Sequence, residues 1–113
     1  MNFLLHSRFR DFCQFQDETR AWHLDFIQLD RGESDFRLLQ AGVGSCQIAR
    51  VRLNRKLLQR GRCPRGMRTF AIPVNPDLSL EWLEQDVGGN DLLVCPEDGE
   101  LSSRSNSDFD MIT

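Results

Sequence analysis

Residues 45–74 read SCQIARVRLNRKLLQRGRCPRGMRTFAIPV, and the rest of the chain is organised around this stretch. The stretch opens with alternating residues, a pattern typical of a half-buried β-strand. It then passes through the turn-forming segment RGRCPRG and closes in a second apolar run, FAIPV. Eight of the chain's 14 Lys and Arg residues lie between Arg50 and Arg68, and no Asp or Glu does.

The length and composition indicate a small globular protein. A chain of 113 residues predicts one domain, and we assign it to residues 11–113, after a lead-in over residues 1–10. A net charge of −3 gives no case for nucleic-acid binding by the whole chain. Nine of the 17 acidic residues lie from Glu81 onward. This acidic end could pair with the basic middle across a sheet or between subunits, or both could be solvated faces.

The four cysteines, Cys13, Cys46, Cys63 and Cys95, lie far apart and form no CxxC pair. Their spacing predicts neither a zinc site nor a disulfide framework. Cys46 and Cys95 lie in apolar runs, so we expect buried, reduced thiols and a cytoplasmic protein. The start, MNFLLH, is too short for a signal-peptide core, and no apolar run of about 18 residues predicts a membrane span.

A short helix is predicted near the start of the chain, followed by strands. Asp11 can cap a helix in FCQFQDETRAW (12–22), and Phe12 and Phe15 are spaced to face one side of it. Strands are predicted over residues 22–30, 35–41, 45–54, 67–74, 78–82, 91–95 and 109–113. Residues 54–61 are predicted as strand or irregular structure, because RGRCPRG interrupts the chain directly afterwards.

Turn signals separate these strands. A hairpin turn is predicted at residues 31–34, further turns at 42–44, 86–90 and 97–100, and a polar, flexible segment at 102–107. Short strands at this spacing indicate a mainly β sandwich or barrel. The last strand stops without a turn, so we expect the natural chain to continue past Thr113, although a short native protein would also fit.

The sequence contains no pattern that predicts catalysis. G-x-S-x-G, HExxH and phosphate-loop motifs are all absent, so we expect no enzyme, no cofactor and no metal. A metal-binding barrel of the cupin type would need an HxH pair, and the two histidines are His6 and His23. Ligation of a metal by His23 with distant carboxylates is the alternative.

The basic run offers one candidate anion site. Arg50 and Arg52 share a face of a predicted strand, and guanidinium groups bind carboxylate or phosphate through forked hydrogen bonds. An exposed face, or salt bridges to the acidic end of the chain, would explain the same residues. No recognition helix accompanies the run, which argues against direct DNA binding.

An ordered set of short motifs resembles the N-terminal sensing domain of AraC/XylS-type transcriptional regulators. The motifs are DFCQF (11–15), QLDRG (28–32), IAR (48–50), LQRG (58–61), FAIP (70–73), Trp82, GNDLLVCPEDGE (89–100) and FDM (109–111). The resemblance implies a cupin-like jelly roll that senses an effector or dimerises. It also implies a C-terminal pair of helix-turn-helix motifs in the natural protein. This chain lacks that pair, so we predict that it does not bind DNA by itself.

The working hypothesis is therefore the regulatory domain of an AraC-type regulator, with an unknown small-molecule effector and a homodimer as its partners. The candidate ligand-binding residues are aromatic and polar groups on strands expected to face inward: Gln28, Arg50, Arg52, Phe70 and Trp82. Two alternatives stay open. One is a stand-alone cupin-like binding module or enzyme, and the other is an assembly domain that binds no ligand.

Overall fold

A computed structural model describes residues 2–18, 24–63, 65–95 and 97–113. These residues form one short helix, α1 (Phe12–Glu18), and the following strands: β1 (Phe3–Phe9), β2 (Leu24–Gln28), β3 (Phe36–Val43), β4 (Cys46–Leu53), β5 (Leu57–Arg62), β6 (Thr69–Pro73), β7 (Ser79–Trp82), β8 (Gln85–Gly88), β9 (Leu93–Cys95), β10 (Glu100–Ser105) and β11 (Phe109–Ile112). The chain is thus mainly β, as its alternating patterns predict.

The strands form two antiparallel sheets. The six-stranded sheet has the order β1-β3-β4-β11-β6-β9, and the five-stranded sheet has the order β2-β5-β10-β7-β8. From β4 onward the pairings are nested, because β4 pairs with β11, β5 with β10, β6 with β9 and β7 with β8. Successive strands from β4 to β7 therefore alternate between the two sheets.

The core lies between the sheets, beside α1. Phe15 is fully buried, and its ring meets those of Phe9, Phe26 and Phe36 edge-on, with centroids 5.6, 5.1 and 5.0 Å apart. The Asp11 carboxylate accepts a 2.8 Å hydrogen bond from the Cys13 N–H, which is the predicted helix cap. The predicted helix is thus confirmed over residues 12–18, and one aromatic side chain anchors it to both sheets.

Two expectations for the first third of the chain are wrong. The lead-in over residues 1–10 contains β1, whose residues Phe3 to Phe9 pair with Gly42 to Phe36 of β3. The turn at residues 31–34 does not join a hairpin, because β2 pairs with β5 while β3 pairs with β1 and β4. Residues 22 and 23 of the first predicted strand, including His23, lie outside the described residues.

Two segments expected to be turn or flexible chain form strands. The predicted turn at 86–90 overlaps β8, because the chain already reverses at Leu83 and Glu84, which have φ angles of 46° and 67°. The polar segment 102–107 overlaps β10, whose Ser103 and Ser105 are buried. Small serine side chains fit where β10 lies in the middle of its sheet, so polarity there did not indicate a loop.

Candidate functional site

A cavity of about 720 Å³ lies between the two sheets. Its walls are largely apolar side chains of both inner faces, among them Phe26, Leu80 and Trp82 of the five-stranded sheet and Val51, Ala71 and Met111 of the six-stranded sheet. The volume falls within the range of about 300–1,000 Å³ that is usual for small-molecule sites. We refer to this space as the intersheet cavity.

A few polar side chains interrupt the apolar wall of the intersheet cavity. Gln59 of β5 and Ser103 of β10 stand directly opposite each other in the five-stranded sheet, and Gln40 lines the cavity from β3. Ser103 is only 4% exposed. Amide and hydroxyl groups both donate and accept hydrogen bonds. The cavity can therefore orient a mostly apolar molecule that carries one or two polar groups.

The intersheet cavity reaches the surface beside one edge of β4. Among the described residues, the bonding of β11 to β4 ends at Ala49 and Thr113, whose backbones exchange two hydrogen bonds of 2.8 Å. Cys46 and Ile48 of β4 extend past that point, and both line the cavity together with Phe70 of β6. The opening is thus a gap between β4 and β6 within the six-stranded sheet.

Positive charge lies near the cavity. Arg62 and Arg68 line it, and both are exposed. The Arg62 Nη1 donates to the backbone carbonyl of Asp98 at 3.3 Å. The Asp98 carboxylate also lies 3.4 Å from the Arg65 guanidinium. The rim can attract an anionic group, although acidic Asp98 offsets part of the charge beside Arg62.

The structure brings two of the five candidate ligand-binding residues to the cavity. Trp82 lies on the inner face of β7 and packs against the core. Phe70 lines the cavity at its opening and is 47% exposed. Both are large aromatic residues that can cover an apolar ligand, which is why the sequence pointed to them.

Gln28 does not line the cavity. Its Nε2 donates to the backbone carbonyl of Asp30 at 2.8 Å, and its Oε1 accepts from the Ser34 hydroxyl at 3.2 Å. The side chain therefore holds the loop between β2 and β3 in shape. The structure therefore does not bring Gln28 together with the residues around the cavity.

Arg50 and Arg52 lie on the outer face of the six-stranded sheet, so the expected inward anion pocket is wrong. Arg50 makes a bidentate pair with Asp110 of β11, with Nε–Oδ1 and Nη2–Oδ2 distances of 2.9 and 2.7 Å. That hydrogen bonding raises the pKa of Arg50 above its usual value. Arg52 lies 3.6 Å from the same carboxylate. Here the basic middle pairs with the acidic end across a sheet, which is one of the three arrangements considered from the sequence.

The cavity-lining residues not expected from the sequence include the polar residues Gln40, Gln59 and Ser103. Gln40 lies in a predicted strand, but nothing in that strand pointed to a site. Gln59 lies in the segment predicted as strand or irregular structure, and Ser103 lies in the segment predicted as polar and flexible. The signal in the sequence was an apolar residue two positions away, Leu57 for Gln59 and Leu101 for Ser103, because such residues share a face of a strand.

The cysteines divide into two exposed and two buried thiols. Cys13 and Cys46 are exposed, whereas Cys63 and Cys95 are buried. The prediction for Cys95 is confirmed, and that for Cys46 is wrong because Cys46 occupies an outward position on β4 beyond the end of β11. Cys63 and Cys95 both line the intersheet cavity.

The outer face of the six-stranded sheet is unusually apolar. Its alternate positions carry large hydrophobic residues on five of the six strands, each at least 42% exposed: Leu4, Leu39, Val43, Ile48, Phe70, Ile72 and Val94. We call these residues the outer apolar face. Arg50 and Asp110 lie on the same side of the sheet. Exposed apolar patches of this kind commonly mark interaction surfaces.

No protein-family model, curated protein or solved structure matches this chain. The described ranges contain no group of three or more His, Cys, Asp or Glu side chains placed to hold a metal ion. They also contain no helix with the length and apolar character needed to cross a membrane. The intersheet cavity and the outer apolar face are therefore the two features that point to a function.

Proposed function

We propose that this chain is the effector-sensing domain of an AraC-type transcriptional regulator and binds a small molecule in the intersheet cavity. The observation that carries the proposal is the cavity itself, at about 720 Å³ with apolar walls and a few polar groups. In this proposal the domain is not an enzyme and uses no metal. In this proposal DNA is contacted by helix-turn-helix motifs, and the described part of the chain, with its one short helix, forms none.

The strand pairing supports the jelly-roll part of the proposal. A jelly roll has eight strands in two sheets built from two Greek keys. Strands β4 to β11 number eight, and their nested pairs divide between the sheets as β4-β11-β6-β9 and β5-β10-β7-β8. In this reading β1, β2 and β3 are additions at the edges of a jelly roll, and the intersheet cavity occupies the interior of that roll.

The test is direct binding of small molecules to the isolated chain. Trp82 lines the cavity, and the chain has 2 tryptophans, so a Trp22→Phe variant reports on Trp82 alone. We expect a cavity ligand from a metabolite panel to change Trp82 emission and to raise the melting temperature, because a ligand that binds only the native state stabilises it.

Neighbouring serines provide matched variants for this test. Ser103 is buried and lines the cavity, whereas Ser102 is the preceding residue of β10 and does not. Ser103→Phe should place a ring in the cavity beside Gln59 and weaken binding, and Ser102→Phe should leave binding intact. Both variants are checked for folding by circular dichroism. Equal binding by folded samples of the two variants would refute the assignment of the cavity as the site.

A second candidate function is assembly without a ligand, and the outer apolar face favours it. A two-fold dimer would bury this face against its copy, and homodimers of this symmetry are the commonest protein assemblies. The two roles meet at the cavity opening, since Ile48, Phe70 and Ile72 of the outer apolar face also line the cavity, whereas Leu4, Leu39, Val43 and Val94 do not. Sensing and assembly are compatible in a dimer that leaves this opening clear. The homodimer expected from the sequence is thus retained as part of the proposal.

Sedimentation tests the dimer. The wild-type chain is expected to sediment as a dimer at tens of micromolar, and Leu39→Glu or Val94→Glu on the outer apolar face should shift it to the 13.1 kDa monomer. Ile27 is 52% exposed but belongs to the other sheet, so Ile27→Glu is the control that should stay dimeric. A wild-type sample that sediments only as monomer would remove the dimer from the proposal.

A further inference from the structure

Cys63 and Cys95 form a pair in the wall of the intersheet cavity. They are 4% and 3% exposed, and their side chains share a hydrogen bond. Both line the cavity, which opens to the surface between β4 and β6. A small solute that enters the cavity therefore lies against both residues, although each exposes only a small part of its surface.

The two thiols belong to different sheets. Cys63 directly follows β5 of the five-stranded sheet, and its N–H donates to the carbonyl of Gly99 at 2.8 Å. Cys95 is the last residue of β9 in the six-stranded sheet and pairs in register with Thr69. A covalent bond between their sulfur atoms would join the two sheets across the wall of the cavity.

We propose that Cys63 and Cys95 are a dithiol site that a small hydroperoxide oxidises reversibly to a disulfide. In the first step one of the two thiols gives up its proton and attacks a peroxide oxygen, the O–O bond breaks, and that cysteine becomes a sulfenic acid, while the proton joins the departing oxygen to give alcohol or water. In the second step the sulfur of the other thiol displaces the hydroxyl group of that sulfenic acid, forming the S–S bond, and its proton leaves with the hydroxyl group as water. The two thiols together lose two electrons, and the peroxide gains them.

The two thiols lie in contact with each other. Burial and the hydrogen bond to Cys63 raise the pKa of the Cys95 thiol, so the pair stays reduced and protonated until an oxidant enters the cavity. Because the second thiol is already in place beside the first, the sulfenic acid is captured within the protein rather than oxidised further.

The exposed thiols, Cys13 and Cys46, must be removed for a clean test. In a Cys13→Ser, Cys46→Ser variant, dilute hydrogen peroxide should remove two hydrogen atoms from the intact mass, and peptide mapping should find Cys63 joined to Cys95. Dithiothreitol should restore the original mass. Further replacement of either Cys63 or Cys95 by serine should abolish the internal bond and leave a sulfenic or more oxidised cysteine.

The same variant in denaturant is the comparison that keeps the proposal falsifiable. The native protein should form the internal disulfide faster than the unfolded protein, because the fold holds the sulfur atoms together. Formation only in denaturant, or a native product that carries oxygen on cysteine with no internal bond, would overturn the proposal. The readout is independent of effector binding, so failure of the proposed sensing function would leave this test unaffected.

Discussion

Replacement of Phe15 by alanine tests whether one side chain holds α1 between the sheets. Phe15 is 0% exposed and its ring contacts three other phenylalanine rings within 5.6 Å. Truncation of a fully buried Phe costs about 3–5 kcal/mol, and three lost edge-on ring contacts place Phe15→Ala toward the upper end of that range. Because domains are stable by only about 5–15 kcal/mol, the variant should lose roughly a third or more of its free energy of unfolding at 25 °C.

Urea unfolding followed by circular dichroism measures the loss, and Phe12→Ala is the matched control. Phe12 lies on the same helix but is only half-buried, with one ring contact, to Phe36 at 6.3 Å. Its replacement should therefore cost about half as much. A loss below about 1.5 kcal/mol for Phe15→Ala, or a loss equal to that of Phe12→Ala, would refute the central role of Phe15 in the core.

Two further predictions concern a surface ion pair and a tight turn. The hydrogen bonds from Arg8, at 2.8 and 3.0 Å, lower the pKa of Asp35 below its usual value. The ion pair therefore stabilises the fold fully at any pH above the usual pKa of an aspartate. This contribution is lost as the pH falls through the lowered pKa of Asp35. The melting temperature of Asp35→Asn should accordingly be slightly below wild type at neutral pH and converge with it in acid; a gap that widens in acid would contradict this. A Cβ at Gly89 would lie 2.5 Å from the Pro76 carbonyl oxygen, whereas at Gly88 the nearest atom is 3.8 Å away. In urea unfolding, Gly89→Ala should thus lower the free energy of unfolding by about 1–3 kcal/mol, and Gly88→Ala should lower it much less. Equal losses would mean that the Pro76 backbone moves aside without cost.

Alternation along the chain predicted where most strands lie, but not which sheet each strand joins. The period of two in β3 and β4 is clear, and both strands occur as expected. The pairing of β2 with β5 rather than β3 depends on contacts between residues about 30 positions apart, which local patterns do not encode. β10 was missed because serine is a weak strand former when judged by its own neighbours, although the middle of a sheet accepts it.

The candidate site shows that alternation alone also does not tell which face of a strand lies in the interior. The sequence placed Arg50 and Arg52 on one face of β4, which is correct, but assigned that face to the interior. The opposite face carries Ala49, Val51 and Leu53, and this more apolar set is the one that the core buries. A comparison of the apolar content of the two faces would have predicted that the arginines point outward. Trp82 lines the cavity, because its size and aromatic character favour an inward position, and its role in ligand binding stays a prediction.

The nested strand pairing constrains the order in which the chain can fold. β7 and β8 are joined by the two residues Leu83 and Glu84, so this hairpin closes at a low entropy cost. Each pair outside it, from β6–β9 to β4–β11, closes a longer loop and gains from the pair already formed. Folding is therefore expected to spread from β7–β8 outward, slowly for a domain of this size because most pairings are distant in sequence. During synthesis one edge of β4 stays unpaired until its partner β11 has been made. We expect a nascent chain to be most exposed to aggregation at that edge.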